Sequence, residues 1–183
     1  MDTSKVEVAS AAMDAGADLV NDVTAASEPG MLELVAGRDA GVVLMHMRGE
    51  PRTMQHDTTY LNVVAEVHEF LRQRAAAAVA TGIQPHRVWL DPGIGFGKDD
   101  AGNMALLASL SDLAAIGHPV LVGPSNKSFI GRLTGAPVEA RLAGTLGALV
   151  SAVGLPRVVV RVHDAAATVQ FFEIAARLDE VSA

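Results

Sequence analysis

The 183-residue chain is 50% hydrophobic and 19% charged, with a net charge of −7. That is one domain's worth of core, and not the surface of a general nucleic-acid or anionic-membrane binder. There is no cysteine, which excludes disulfides, thiolate catalysis and cysteine-ligated zinc. No apolar stretch reaches membrane-span length, and Met1-Asp2-Thr3-Ser4-Lys5 lacks a signal core, so the sequence reads as a cytoplasmic single domain over residues 1–183.

The apolar period alternates along the chain. A helix is predicted over residues 4–15, where Val6, Ala9, Ala12 and Met13 share a face, and Gly16 ends it before a strand over 18–23. A second helix is predicted over 28–38, with Ser27 as its cap and Pro29 in its first turn, followed by a strand over 42–45. Residues 47–59, with Arg48, Gly49, Arg52 and Met54, make a long connection that is expected to be a lid. An alanine-rich helix over 61–80 leads to a strand over 87–90. The remainder predicts a helix over 101–116, a strand over 119–122, helices over 127–133 and 138–153, a strand over 157–160 and a helix over 165–178.

Alternating strand and helix means a parallel sheet, either a closed barrel or an open doubly wound sheet. The strands hand polar groups to one face: Asn21-Asp22 after Leu19-Val20, His46 after Val42-Val43-Leu44-Met45, Ser125-Asn126-Lys127 after Val120-Leu121-Val122, and Arg161-Val162-His163-Asp164 after Val158-Val159-Val160. The most informative run is Val88-Trp89-Leu90-Asp91-Pro92-Gly93-Ile94-Gly95-Phe96-Gly97-Lys98, a buried-strand pattern that ends on a carboxylate and a glycine-lined loop. No glycine-rich turn follows the first strand, and polar groups spread over every strand end favour a (β/α)8 TIM-type barrel. A full barrel needs eight strands and about 250 residues, whereas five strands and the stub Asp2-Thr3-Ser4 are legible. The expected architecture is therefore an incomplete barrel of about six strand–helix units.

Asp2-Thr3-Ser4-Lys5, Asn21-Asp22, Leu44-Met45-His46-Met47, the run from Asp91 to Lys98, Gly123-Pro124-Ser125-Asn126-Lys127-Ser128 and Arg161-Val162-His163-Asp164 resemble, in order and spacing, the dihydropteroate synthase family. The resemblance implies condensation of hydroxymethyl-dihydropterin diphosphate with p-aminobenzoate, with loss of diphosphate, in folate biosynthesis. It implies a pterin site of Asp2, Asn21, Met45, Asp91, Lys127 and Arg161, with Asp2, Asp91, Lys127 and Arg161 as the catalytic set. It places p-aminobenzoate against Gly95, Phe96 and Ser128, and the diphosphate at Arg161 and His163. It also implies Mg2+ tied to the diphosphate and to an Asn in a first-strand loop that this chain lacks, so no metal ligand is assigned here; a homodimer fits the resemblance.

The residue types suit these roles. A pterin's aminopyrimidine N–H groups need carboxylate and amide acceptors, and a flat guanidinium stacks on a flat heterocycle as lysine cannot. Arg161 and His163 flank Val162 and so point to one side, as an anion pocket requires. Asn126 stands where the family usually has arginine.

Plainer readings apply elsewhere: His46 as a hydrogen-bonded core histidine, His56, His68, His86 and His118 as solvated, Arg48 and Arg52 as loop charges, and Asp164 as the cap of the last helix. The alternatives to the synthase are a non-catalytic pterin-binding module or a methyltetrahydrofolate-binding methyltransferase domain. Two further expectations concern the chain's start. Met1 stands where the family's third strand carries Val, which suggests a misassigned start codon; and a chain lacking the first strands is expected to be inactive alone and prone to association.

Overall fold

The computed structural model describes residues 1–50 and 52–182, with side chains through residue 178. Five strands form its sheet: β1 Leu19–Asp22, β2 Gly41–Met45, β3 Val88–Asp91, β4 Val120–Val122 and β5 Val158–Val160. They lie side by side in chain order, every neighbouring pair parallel. A doubly wound sheet reverses its strand order at a switch point. This one never does, so its winding is that of a barrel. The stub adds a parallel bridge from Asp2 to Asn21 beyond β1.

Eight helices are described: α1 Val6–Asp14, α2 Met31–Gly37, α3 Val63–Ala80, α4 Asp100–Ala108, α5 Leu110–Ala114, α6 Ser128–Thr134, α7 Leu142–Ala148 and α8 Ala165–Ser182. Their apolar faces and the outward residues of the strands, among them Val20, Leu44, Leu90 and Val120, make the core. β2 is buried along its whole length, whereas Val159 in the edge strand β5 is 43% exposed.

Several boundaries differ from expectation. α2 begins at Met31 behind a left-handed Gly30, so Ser27 is not its cap. The helix expected over 101–116 breaks at Ser109, whose hydroxyl bonds back to the Leu106 carbonyl. The helix expected over 138–153 is interrupted at both ends by single 3-10 turns, and Arg141 and Thr145, at and after the first junction, hold the Asn126 backbone. Asp164 accepts from the Ala167 N–H and caps α8 as expected.

Candidate active site

Side chains alternate across a strand, so register decides which residues share a face. Asn21 pairs with Val43, and Met45, two residues on, pairs with Asp91; the three therefore face the same side. Leu90 pairs with Val120, which puts Leu121 on the Asp91 side, and Val159, paired with Leu121, carries that side forward to Arg161. At the carboxyl ends these residues surround a cavity of about 240 Å³. Its lining includes Asp2, Asn21, Met45, Asp91, Lys127 and Arg161, together with Phe96 and His163. Gly95 and Ser128 lie outside the lining, and the Ser128 hydroxyl is taken by Arg132.

Asp91 is 7% exposed, with Oδ1 accepting the Gly93 N–H at 2.7 Å. Burial pushes its carboxyl up to about 6, against the pull of that N–H and of Lys127, Lys98 and Arg161. Asn21 donates its amide Nδ2 to Asp2 Oδ1, while the other Asp2 oxygen accepts from Arg161 Nη2 at 3.2 Å. The buried Asn21 Oδ1 has no hydrogen-bond partner among the described residues. An orphaned buried acceptor is costly, and this one sits in a residue that lines the cavity. Lys127 donates to the Ile94 carbonyl at 2.8 Å with its ammonium 4.0 Å from the Phe96 ring centre. Burial lowers its pKa, while Asp91 acts the other way.

His163 is oriented by Ser125, for which the sequence suggested no role. Ser125 Oγ accepts the His163 backbone N–H at 3.2 Å and meets Nδ1 at 2.8 Å. Ser125 thus ties both the backbone and the ring of His163 and fixes the imidazole through Nδ1.

The loop after β3 is held at every carbonyl from Gly93 to Gly97. Lys98 takes those of Gly93 and Phe96, Lys127 that of Ile94, Gln55 that of Gly95 and Tyr60 that of Gly97. Asn103 accepts the Gly95 N–H at 2.6 Å. The connection over residues 47–59, expected as a lid, is thus strapped to this loop. Arg48 supports it from behind, bonded to the Thr59 carbonyl and Glu66 and stacked 3.7 Å over the Tyr60 ring. Arg52 is exposed.

Gly93 shows why the loop needs glycine: its φ is +67° and an added Cβ would stand 2.0 Å from the His46 carbonyl oxygen. Lys98, only 1% exposed, has its ammonium 3.0 Å from both His46 Nδ1 and the His46 carbonyl oxygen. Burial lowers its pKa to about 7 and that of His46 to about 3. His46 is therefore the hydrogen-bonded core histidine that was expected. His68 is not solvated as expected: it is buried against the core with Nε2 unpartnered among the described residues, and burial lowers its pKa.

Among the described residues no group of three or more His, Cys, Asp or Glu is placed to hold a metal ion, and no helix is long and apolar enough to cross a membrane. Asp2, the cavity carboxylate beside an amide, already has both oxygens engaged by Asn21 and Arg161. This set does not fit a resident cation.

A singly wound parallel barrel segment with carboxylate, amide and guanidinium groups converging at its strand ends places the chain among barrel proteins whose sites lie at the carboxyl face. Residues 1–163 match the model of the pterin binding enzyme family, and the chain belongs to that family. It is 41% identical over 177 residues to the dihydropteroate synthase of Synechocystis, covering 96% of this chain and 61% of that one. The chain thus spans about three-fifths of that relative's length. Among solved structures, dihydropteroate synthase from Stenotrophomonas maltophilia with imidazole bound in its active site superposes with a TM-score of 0.91 at 44% identity, over 97% of this chain and 68% of that one. The Xanthomonas albilineans enzyme with 4-aminobenzoic acid gives 0.89 at 46% identity, over 97% and 63%.

Proposed function

We propose that the chain forms the substrate-binding floor of a dihydropteroate synthase, condensing hydroxymethyl-dihydropterin diphosphate with p-aminobenzoate to dihydropteroate and diphosphate. The observation that carries this reading is the convergence of Asp2, Asn21, Asp91, Lys127 and Arg161 on one cavity, where Asn21 Oδ1 is left without a donor among the described residues. The aminopyrimidine edge of a pterin brings the missing N–H groups. Met45 packs beneath the ring, and the Arg161 guanidinium covers a face of it.

In this reading the C–O bond to diphosphate breaks first, giving a pterin methylene cation stabilised by resonance and by the Asp91 and Asp2 carboxylates. Arg161 and His163 take up the charge developing on the leaving diphosphate. The p-aminobenzoate nitrogen, held beside Phe96 and Lys127, then attacks the methylene carbon and loses a proton to solvent. Gly95 and Ser128 belong to this half through the backbone and the start of α6. No residue acts as a covalent nucleophile, so catalysis is positioning and electrostatics.

Magnesium enters only as the companion of the diphosphate, and no step is routed through a metal ligand of this chain. The reading includes a single domain over residues 1–183, a cytoplasmic location in keeping with the absence of cysteine, and a homodimer.

Incubating the chain with the pterin diphosphate, Mg2+ and radiolabelled p-aminobenzoate tests the proposal. Labelled p-aminobenzoate retained by the chain together with the pterin diphosphate supports it, with or without turnover to dihydropteroate. Pterin binding with neither product nor p-aminobenzoate binding would favour a pterin-binding module or a methyltetrahydrofolate-type domain instead.

A further inference from the structure

An ammonium buried to 1% exposure needs a reason, because a methionine would fill the same space without the desolvation cost. Among the described residues no carboxylate lies within ion-pair distance of Lys98; its ammonium is met instead by the His46 imidazole and by the carbonyls of His46, Gly93 and Phe96, all at 2.9–3.0 Å. One partner set belongs to the end of β2 and the other to the loop after β3. Lys98 itself does not line the cavity, whereas Gly93, Ile94 and Phe96 do.

We propose that Lys98 is a positioning residue for the arylamine half of the site: its ammonium fastens the loop of residues 93–96 to the end of β2 and so fixes where the Phe96 ring stands against Lys127. This rests on the reading of Phe96 as a wall of the p-aminobenzoate subsite.

Phe96 is held at both ends. Its carbonyl goes to Lys98 and its ring receives the Lys127 ammonium at 4.0 Å. The tie is short because Gly93 already sits against the His46 carbonyl with no room for a Cβ. Other groups secure the neighbouring units, Asn103 at the Gly95 N–H and Gln55 at the Gly95 carbonyl, but among the described side chains only Lys98 joins Gly93 and Phe96 to β2. Of the pterin acceptors, Asp2 and Asn21 stand on the stub and β1, away from the groups that Lys98 holds, and Asp91, although its Oδ1 accepts the Gly93 N–H, is placed by the pairing of β3 with Met45 on β2. Loss of the ammonium therefore separates the two halves of the site, which a merely structural role would not do.

The test uses Lys98→Met and Lys98→Gln, the latter keeping two amide donors for the carbonyls. Amide hydrogen exchange at Gly95 and Phe96 is followed, and calorimetry reads 6-hydroxymethylpterin binding, then p-aminobenzoate binding to the chain saturated with pterin and diphosphate. Lys98→Met is expected to speed exchange in this loop about tenfold and weaken p-aminobenzoate at least about tenfold, with pterin affinity kept within about threefold and Lys98→Gln intermediate. If Lys98→Met does not fold, Lys98→Gln carries the comparison with wild type. Unchanged exchange overturns the clamp. Faster exchange with unchanged p-aminobenzoate affinity, or equal losses for both ligands, overturns the positioning role while the proposed function stands. A wild type that binds neither ligand removes the proposed function, and with it the assignment of Lys98 to an arylamine subsite, whatever the exchange reads.

Discussion

Arg161 Nη2 donates to Asp2 Oδ2 at 3.2 Å, although the two residues belong to opposite edges of the sheet, one following β5 and the other bridged to β1. With the stub beyond β1, a flat sheet would hold the two residues five strand steps apart, about 24 Å at roughly 4.8 Å per step. The sheet has therefore curled until its two edges meet across the cavity mouth, and the contact is the direct mark of barrel curvature in this chain.

The pair serves the site more than the fold. Both side chains are more than half exposed, and exposed ion pairs contribute at most about 1 kcal/mol. Asp2→Ala should shift the denaturant midpoint little while weakening pterin binding several-fold, since Asp2 also holds the Asn21 amide. A large loss of stability with unchanged pterin affinity would reverse this assignment.

In the proposed reading, Asp91 gives pterin binding a pH dependence. With its carboxyl raised to about 6, the charged acceptor is present above that pH and lost below it. Pterin affinity should be flat from pH 7 upward and fall as pH drops through 6, approaching about tenfold per pH unit. Titrations between pH 5 and 8 would show the bend in wild type and its absence in Asp91→Asn.

Gly93→Ala should cost more than about 2 kcal/mol, adding a left-handed alanine to a collision with the His46 carbonyl. Gly117→Ala is the control, since Gly117 also has positive φ but nothing within 4 Å of an added Cβ. Denaturant unfolding of both variants separates packing from backbone strain; equal losses would mean the loop can back away from β2.

Stability against pH follows from three groups in the same region. Asp91, raised from 3.8 to about 6, makes stability fall as pH rises across that window, while His46, lowered from 6.5 to about 3, makes it rise over nearly the same range. The two slopes oppose each other in acid. Lys98, lowered from 10.5 to about 7, has no such counterpart here: the unfolded chain holds the extra proton between those values, so stability should rise with pH above 7. Each tenfold loss of proton affinity on folding is worth about 1.4 kcal/mol. Unfolding free energies at pH 7 and 9 should draw closer in Lys98→Met, with the lowered pKa of Lys127 keeping part of the slope, and an unchanged slope in that variant would assign the effect elsewhere.

The strands and the inward side chains at their ends were legible because period two and strand register are local properties of sequence. Asn21, Met45, Asp91 and Arg161 fall on one face for that reason. Helix breaks were not legible, because the Ser109 hydroxyl turning back on Leu106, and Arg141 and Thr145 turning toward Asn126, are choices that packing makes. Likewise Gln55 and Asn103 stand in no motif, and the motifs that contain Lys98 and Ser125 do not announce their partners. Each acts on a loop or ring supplied by another part of the fold, so the second rank of the site became visible only in three dimensions. The left-handed Asn126 belongs here too: its backbone is held by Thr145 and Arg141, and sequence alone marked it only as a missing positive charge.

The measurement closest to the central claim is calorimetric titration of 6-hydroxymethylpterin into wild type and Asp91→Asn at pH 8. The amide replaces a charged acceptor with a group that also presents donors, and losing one charge-assisted bond in a buried site costs roughly 2–3 kcal/mol, so the variant should bind at least about thirtyfold more weakly. Equal affinities would leave Asp91 a turn residue at the end of β3 and take the pterin out of this cavity.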